Sequence, residues 1–449
     1  MGVLGSTGGP AGRALVVGLG VAGEAVARHL ADRGWSVTVS EDRPTHDTRA
    51  RAAALGGRGV VTVDAPGPER LASLVEEATL VVPSPGVPAT HPGVSRALAA
   101  GRRVWSELEL AARWSSVPVV AVTGTNGKTT VTTLIRDMLA ASGLRTVAAS
   151  NNELPLVDAG EDHDVIVVEA SSFRLRFTET FQPVVGVWIN LAPDHLDWHG
   201  TMEAYAAAKA RIWAAQGPEQ VAVANAEDPV VMAWASSAPA RVVTFGHDHG
   251  DWRVRDGRLR GPDGDLAETS ALWRSLPHDR TNALAAAAAA SIAGASLSGV
   301  VGTLRSFRGL PHRVSLVAEV DGVRYYDDSK ATDPHATAAA VAGFPSVVLI
   351  AGGRNKGLDL SALAADTSRI RTVVAIGEAA PEVERAFAGR APVTCAGSMD
   401  EAVARARTAA RRGDAVLLSP GCASFDWYRS YRERGADFAR AVTGSGGRS

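Results

Sequence analysis

Apolar residues run in short unbroken stretches along most of this chain, and each is followed by a stretch with helical periodicity. "RALVVGLG" is such a run, and "AGEAVARHLADRG" after it has the spacing of an amphipathic helix closed by Gly34. "SVTVSED" and "ATLVVPSPGV" repeat the pattern, the second ending in a Pro/Gly loop. "VPVVAVTG" feeds a glycine loop, and "TTVTTLIRDMLAASG" reads as a helix stopped by Gly143. "SVVLIAGG", "TVVAIGE" and "AVLLSPG" continue the alternation towards the end. Apolar runs bounded by turn signals and separated by helices predict buried parallel strands with crossover helices, an α/β chain.

Two soft boundaries divide the pattern. A helical stretch, "ELELAARW", precedes the strand before the glycine loop, and "FRGLPHR" follows a pair of helices. They suggest domains over 1–106, 107–309 and 310–449. That number agrees with a prior of about 150 residues per domain. The alanine-rich stretch from Ala283 to Ala293 predicts a small-residue helix packed closely against a sheet. The segment 246–273, with Gly/Asp turns and little apolar content, predicts an exposed excursion with hairpin-like turns.

Composition narrows the class. The 449 residues are 46% hydrophobic and 21% charged, with a formal net charge of −2. This is an ordinary globular balance without the basic footprint of a nucleic-acid binder. Two distant cysteines, Cys395 and Cys422, argue against a disulfide framework or a cysteine metal site. The start lacks the apolar stretch of a signal peptide, and no run is long enough for a membrane span. The expectation is a cytoplasmic protein, monomeric, acting on small molecules.

The candidate chemistry begins at "VTGTNGKTT", Val122 to Thr130. Strand, glycine loop, Gly-Lys-Thr and helix form the context of a phosphate cradle, where backbone N–H groups and a helix N-terminus face an anion. The usual pattern has a glycine five residues before the Gly-Lys pair, and Val122 stands there. Gly124 and Gly127 allow close approach, Lys128 would bridge phosphates, and the Thr129 hydroxyl would ligate Mg2+. Glu169 ends the buried run "DVIVVE", where a carboxylate can hold a hard cation or simply line a loop entrance. "NLAPDHLDWHG" gathers Asp194, His195, Asp197 and His199, either a metal cluster or a solvated loop. Near the start, "GLGVAG" spaces Gly18, Gly20 and Gly23 as G-x-G-x-x-G, with Glu41 ending the next strand. Alone this pattern suggests a dinucleotide site and an NAD(P)-dependent oxidoreductase. A nucleotide-binding regulator without catalysis is a third possibility.

The shortened loop G-T-N-G-K-T-T resembles the ATP loop of the Mur ligases, cell-wall enzymes that join amino acids to a nucleotide-linked sugar acid. "DDSKATDPHAT" and "GLPHRV" are similar to the D-glutamate-adding branch, so the resemblance runs end to end. It implies three α/β domains: an N-terminal Rossmann-like UDP-binding domain, a central P-loop ATPase-like domain and a C-terminal Rossmann-like domain. It implies ATP and Mg2+ as cofactors, with UDP-N-acetylmuramoyl-L-alanine and D-glutamate as small-molecule substrates. L-glutamate is the alternative acceptor.

The resemblance also assigns roles. Gly124, Thr125, Asn126, Gly127, Lys128, Thr129 and Thr130 form the ATP loop, with Asn282 near the adenine and Arg313, Asp328 and Lys330 towards phosphate and ribose. The family usually has His-Asn where this chain has His278-Asp279. Thr129, Glu169, His195 and a carbamylated Lys209 match the metal positions; by residue type alone Lys209 is a solvated helix lysine. Lys128, His195, Lys209 and Arg313 are the expected catalytic set. Gly18, Gly20, Val21, Ala22, Glu41, Arg43, Ser84, Pro85, Gly86 and Asn151 match the UDP-sugar site. Asn152 and Glu153 depart from the family's usual apolar residue and glycine. Thr332, Lys356, Ser424, Phe425 and Tyr431 match the amino-acid site, although Ser424 equally suits a helix cap.

Overall fold

The unbroken apolar runs become parallel strands. In a computed structural model, which describes residues 12–150 and 154–444, the first sheet contains β1 (Arg13–Val17), β2 (Ser36–Glu41), β3 (Val61–Asp64), β4 (Leu80–Pro83) and β5 (Arg103–Val104). Their order is β3-β2-β1-β4-β5, with every pairing parallel. β1 and β4 are neighbours from opposite halves of the winding. The crevice at their C-terminal ends is therefore the place where such sheets take ligands.

The second sheet contains β6 (Val119–Thr123), β7 (Thr146–Ala149), β8 (Val165–Glu169), β9 (Val185–Trp188), β10 (Val221–Asn225) and β11 (Arg241–Phe245), in the order β11-β10-β9-β6-β8-β7. β6 lies between β8 and β9, so the loops leaving these three strands gather at one edge. All five residues of β8 are buried, as expected for strands covered on both faces. In the helix Pro277–Ile292, every residue from Ala283 to Ala290 is fully buried. Apart from Leu284 these residues are alanines, whose small side chains allow a helix to be enclosed so closely, while Ser291, Ile292 and Ala293 are half-buried.

The segment expected to be an exposed excursion is more ordered. It forms a three-stranded sheet, β12 (Arg253–Arg255), β13 (Arg258–Gly261) and β14 (Gly264–Glu268). Trp252, Leu259 and Leu266 are buried there, so a few large apolar groups suffice to seat a largely polar hairpin.

The last sheet contains β15 (Ser315–Val320), β16 (Val323–Asp327), β17 (Val347–Gly352), β18 (Ile370–Ile376), β19 (Val393–Ala396) and β20 (Ala415–Leu418). The order is β15-β16-β20-β17-β18-β19, antiparallel only at β15.

The described residues fall into two compact units. One holds the chain up to Leu191 with Trp198–Ala267 and Asn282–Leu304; the other holds Ala192–Asp197, Glu268–Thr281 and Arg305 onward. Within the first, Asp158 accepts from Arg28 at 2.8 and 2.9 Å and pairs with His29 at 2.7 Å, tying the first helix to the second sheet's periphery.

Candidate active site

The glycine loop leaves β6, and its geometry explains the absent glycine. Val122 is a fully buried strand residue, so the loop opens two positions later, at Gly124. The helix Lys128–Ala141 starts immediately after Gly127, whose φ is +88°. A Cβ on Gly127 would lie 2.5 Å from Asn282 Oδ1, which places the Asn282 amide directly against the loop. The Asn190 side chain, at the end of β9, accepts from the amides of Thr125 and Asn126 at 3.0 Å each. It pins the loop from outside. Lys128 Nζ donates to the carbonyls of Gly124 and Thr125, both at 2.9 Å.

Two further groups meet this loop. The Thr129 hydroxyl donates to Glu169 Oε2 at 2.8 Å, so one turn of helix and one strand end place two oxygen ligands together. Lys209 is buried, not solvated. Its Nζ donates to Gly124 O at 2.7 Å and lies 4.4 Å from the centre of the Tyr205 ring. Tyr205 Oη lies 3.3 Å from Thr125 Oγ1. A lysine on an apolar helix face, one turn from an aromatic, is thus directed at the loop's rear. Among the described residues no group of three or more His, Cys, Asp or Glu side chains could hold a metal ion. The Thr129–Glu169 pair fits a hard cation that takes its other ligands from phosphate and water.

The metal-cluster reading of "NLAPDHLDWHG" is not supported as a whole. His199 is a core residue whose Nε2 lies 2.9 Å from Ser172 Oγ, and it stacks on Phe173. His195 lies in the second unit, with a φ of +54° and Nε2 3.2 Å from Asp194 Oδ2.

The first crevice is built around Gly18. Ser84 Oγ donates to Gly18 O at 2.7 Å, joining the loops after β1 and β4. A Cβ on Gly23 would lie 2.2 Å from the same carbonyl, so the helix Val21–Asp32 can start this close only with glycine there. The Glu41 carboxylate accepts from the amides of Leu19 at 2.8 Å and Arg43 at 2.9 Å. In this structure it shapes the crevice through the backbone. Gly20, Val21, Ala22, Pro85 and Gly86 lie on the two loops or the first helical turn. Asn151, Asn152 and Glu153 lie outside the described residues.

In the second unit, the C-terminal ends of β16, β20 and β17 bring the remaining residues together. Asp328 follows β16; its carboxylate accepts from Ser419 Oγ at 2.7 Å and from the Val314 amide at 3.2 Å. Burial pushes its pKa up to about 7, against the opposing pull of the Ser419 hydrogen bond and the Arg274 and Arg313 charges. Lys330 Nζ lies 5.1 Å from the centre of the Tyr431 ring, a cation on an aromatic wall. Lys356, after β17, donates to Asp194 Oδ1 at 2.7 Å. Burial would raise the Asp194 pKa, but His195 and Lys356 hold it below the usual carboxylate range. Ser424 is buried, Thr332 half-buried and Phe425 exposed. Arg434, buried, donates to the carbonyls of Ser329, Cys422 and Ala423, fastening the loops after β16 and β20 to each other.

Several of these residues escape a reading of the sequence. Asn190 sits just beyond a strand's end, a position that could have marked it; Asp194 is visible within "NLAPDHLDWHG", but its bond to Lys356 is not. Tyr205 is four residues before Lys209 on one helix. Arg274 and Arg434 carry no local signal, because the carbonyls of Arg313 and Val314 that Arg274 holds, and the Ser329 carbonyl that Arg434 holds, come from distant parts of the chain.

A parallel sheet with a glycine loop, a lysine and a Thr–Glu oxygen pair at its C-terminal edge defines a nucleotide-dependent enzyme of the phosphate-loop class. Comparison with known proteins narrows that class. Residues 12–106 match the Mur ligase MurD-like N-terminal domain, 122–290 the Mur ligase middle domain, and 312–422 the Mur ligase glutamate ligase domain. The chain therefore belongs to the Mur ligase family.

A UDP-N-acetylmuramoylalanine--D-glutamate ligase from Frankia casuarinae is 44% identical over 449 residues, covering 95% of this chain and 93% of that protein. The protein of the same description from Thermobifida fusca is 41% identical over 463 residues, covering 96% and 98%. Among solved structures, a MurF ligase from Thermotoga maritima in complex with ADP aligns over 97% of this chain and 96% of its own, with a TM-score of 0.61 at 18% identity. A pseudomurein peptide ligase type C from Methanothermus fervidus aligns over 97% and 100%, also with a TM-score of 0.61 at 18% identity. These two share the fold. The G-x-G-x-x-G crevice lies in the segment matched to the family's N-terminal domain, so the glycine spacing belongs to a Mur ligase.

Proposed function

We infer that this chain is an ATP-dependent ligase that adds D-glutamate to UDP-N-acetylmuramoyl-L-alanine, through an acyl phosphate, in peptidoglycan precursor synthesis. The observation that carries the reading is near-full-length identity of about two residues in five with ligases of that description. The glycine loop with its Thr129–Glu169 pair supports the nucleotide half of the reaction.

The site residues take roles by this reading. Gly124 to Thr130 cradle the triphosphate, and Lys128 and Arg313 place cations on the transferring phosphoryl group. Asn282 faces the adenine, and Asp328 and Lys330 the ribose and phosphate. Thr129 and Glu169 would hold Mg2+, which would supply charge neutralisation to the phosphates. Lys209 and His195 complete the catalytic set, Lys209 as a carbamate; its present bond to Gly124 O belongs to the unmodified ammonium. Gly18, Gly20, Val21, Ala22, Glu41, Arg43, the Ser84-Pro85-Gly86 turn and Asn151 bind the UDP-sugar. Thr332, Lys356, Ser424, Phe425 and Tyr431 bind glutamate. Asp194, already paired with Lys356, joins them as a partner for the amino group. No helix among the described residues is long and apolar enough to cross a membrane; we propose a cytoplasmic monomer.

The test measures ADP release and product mass with ATP, Mg2+ and UDP-N-acetylmuramoyl-L-alanine. Parallel reactions contain D-glutamate, L-glutamate or no amino acid. Turnover with D-glutamate alone, and a product heavier by one glutamyl residue, is the expected result. Turnover only with L-glutamate would overturn the stereochemistry and keep the reaction class.

A further inference from the structure

Asp279 stands where the family usually has asparagine, and its surroundings give it a different occupation. The carboxylate is fully buried and takes a two-pronged ion pair from Arg274, with Nε to Oδ2 at 3.0 Å and Nη2 to Oδ1 at 2.8 Å. The third nitrogen of the guanidinium, Nη1, donates to the carbonyls of Arg313 and, at 2.7 Å, of Val314. Arginine's planar fork allows one side chain to serve a carboxylate and two carbonyls at once.

The backbone it holds is strained. His312 has a φ of +61° and Val314 a φ of +49°. Left-handed backbone is costly for a residue with a side chain and most costly for a β-branched one. Arg313 lies between these two positions, so the direction of its side chain follows from a turn that relaxes unless it is fastened. The fastening comes from both sides. Arg274 takes the carbonyls, Asp328 Oδ1 accepts from the Val314 amide at 3.2 Å, and His312 Nδ1 lies 2.6 Å from Asp327 Oδ2.

We infer that Arg274 and Asp279 form a positioning pair for Arg313: the ion pair clamps the strained 312–314 turn in the backbone arrangement that aims the Arg313 guanidinium. The inference rests on the ligase reading, in which Arg313 acts on the transferring phosphoryl group. It removes Asp279 from any direct part in adenine binding, because its oxygens are committed to Arg274. A misplacement of a catalytic group by about 1 Å can cost roughly a hundredfold in rate, so a loosened clamp registers in kcat.

The test is a double-mutant cycle between Asp279→Asn and Arg313→Ala, with kcat and KM for ATP measured in the ligation assay. Asp279→Asn keeps the shape and removes the charge that anchors Arg274. The expected result is a loss of at least about tenfold in kcat, KM for ATP changed less than about twofold, and no further loss when Asp279→Asn is added to Arg313→Ala. Equal losses in both backgrounds would show a merely structural ion pair and overturn the inference. So would an Asp279→Asn variant whose main defect is a raised KM for ATP. If Asp279→Asn does not fold, Arg274→Lys, which keeps the charge and loses the carbonyl donors, enters the same cycle with the same expectations. A wild-type protein inert with both glutamates would overturn the ligase reading and this inference with it. That outcome is distinct from an active wild type with additive losses.

Discussion

At the scale of single residues, charge placement decides most of the chemistry. Lys128 bonds two carbonyls of its own loop, and in the proposed reaction its ammonium serves the phosphate oxygens. Lys128→Ala is expected to lower kcat/KM for ATP by about 100-fold to 1000-fold, the usual cost of removing one preorganised charge-stabilising donor; steady-state ADP release measures it. Asp328 gives a pH signature. Its carboxyl titrates near 7 in the native state against about 4 unfolded. The native state binds the extra proton between those values, so its contribution to stability is full below about pH 4 and is lost as the pH rises through 7. Relative to Asp328→Asn, the wild type should gain stability as the pH falls from 7 to 5; urea midpoints at the two pH values measure this. These residues differ in how well the sequence disclosed them. Lys128 is legible because loop, lysine and helix are local. Arg274 is not, because the carboxylate and carbonyls it joins lie five, thirty-nine and forty positions away.

At the scale of elements, close approach is the recurring device. Gly127→Ala would drive a Cβ into Asn282 Oδ1 at a φ of +88°, so it combines a clash with a strained backbone. It is expected to raise the Kd for ATP at least about tenfold while leaving UDP binding intact, read by isothermal titration with each nucleotide; each factor of ten corresponds to about 1.4 kcal/mol. Gly23→Ala should do the converse, because its Cβ would meet the Gly18 carbonyl at 2.2 Å in the other crevice. The parallel strands behind both loops were easy to recognise. A strand covered on both faces reads as an apolar run, as "VIVVE" does in β8. The β12–β14 sheet was hidden by the opposite circumstance. Arginine and aspartate dominate its surface, and its seating on Trp252 and Leu259 depends on what lies beneath it. Lys209 shows the same limit from the other side. A helix lysine looks solvated until the loop it faces is known.

At the scale of the whole molecule, ligand binding and stability are one equilibrium. A ligand that binds only the folded state stabilises it by about 2.7 kcal/mol at a concentration one hundred times its Kd. The two proposed nucleotide sites stand at the ends of different sheets, β1 with β4 in one and β6 with β8 in the other, and no residue proposed for one is proposed for the other. ADP with Mg2+ and UDP should therefore each raise the unfolding temperature of the wild-type protein. In Lys128→Ala the ADP shift should largely disappear while the UDP shift remains. In Gly23→Ala the pattern should reverse. Thermal unfolding of the three proteins, each with neither ligand, one or the other, measures both dependences without any turnover. Loss of both shifts in either variant would mean that the glycine loops do not serve separate nucleotides, and the assignment of the first crevice to the UDP-sugar would fail. Retention of the ADP shift in Lys128→Ala would instead locate the ADP site away from the Gly124–Thr130 loop.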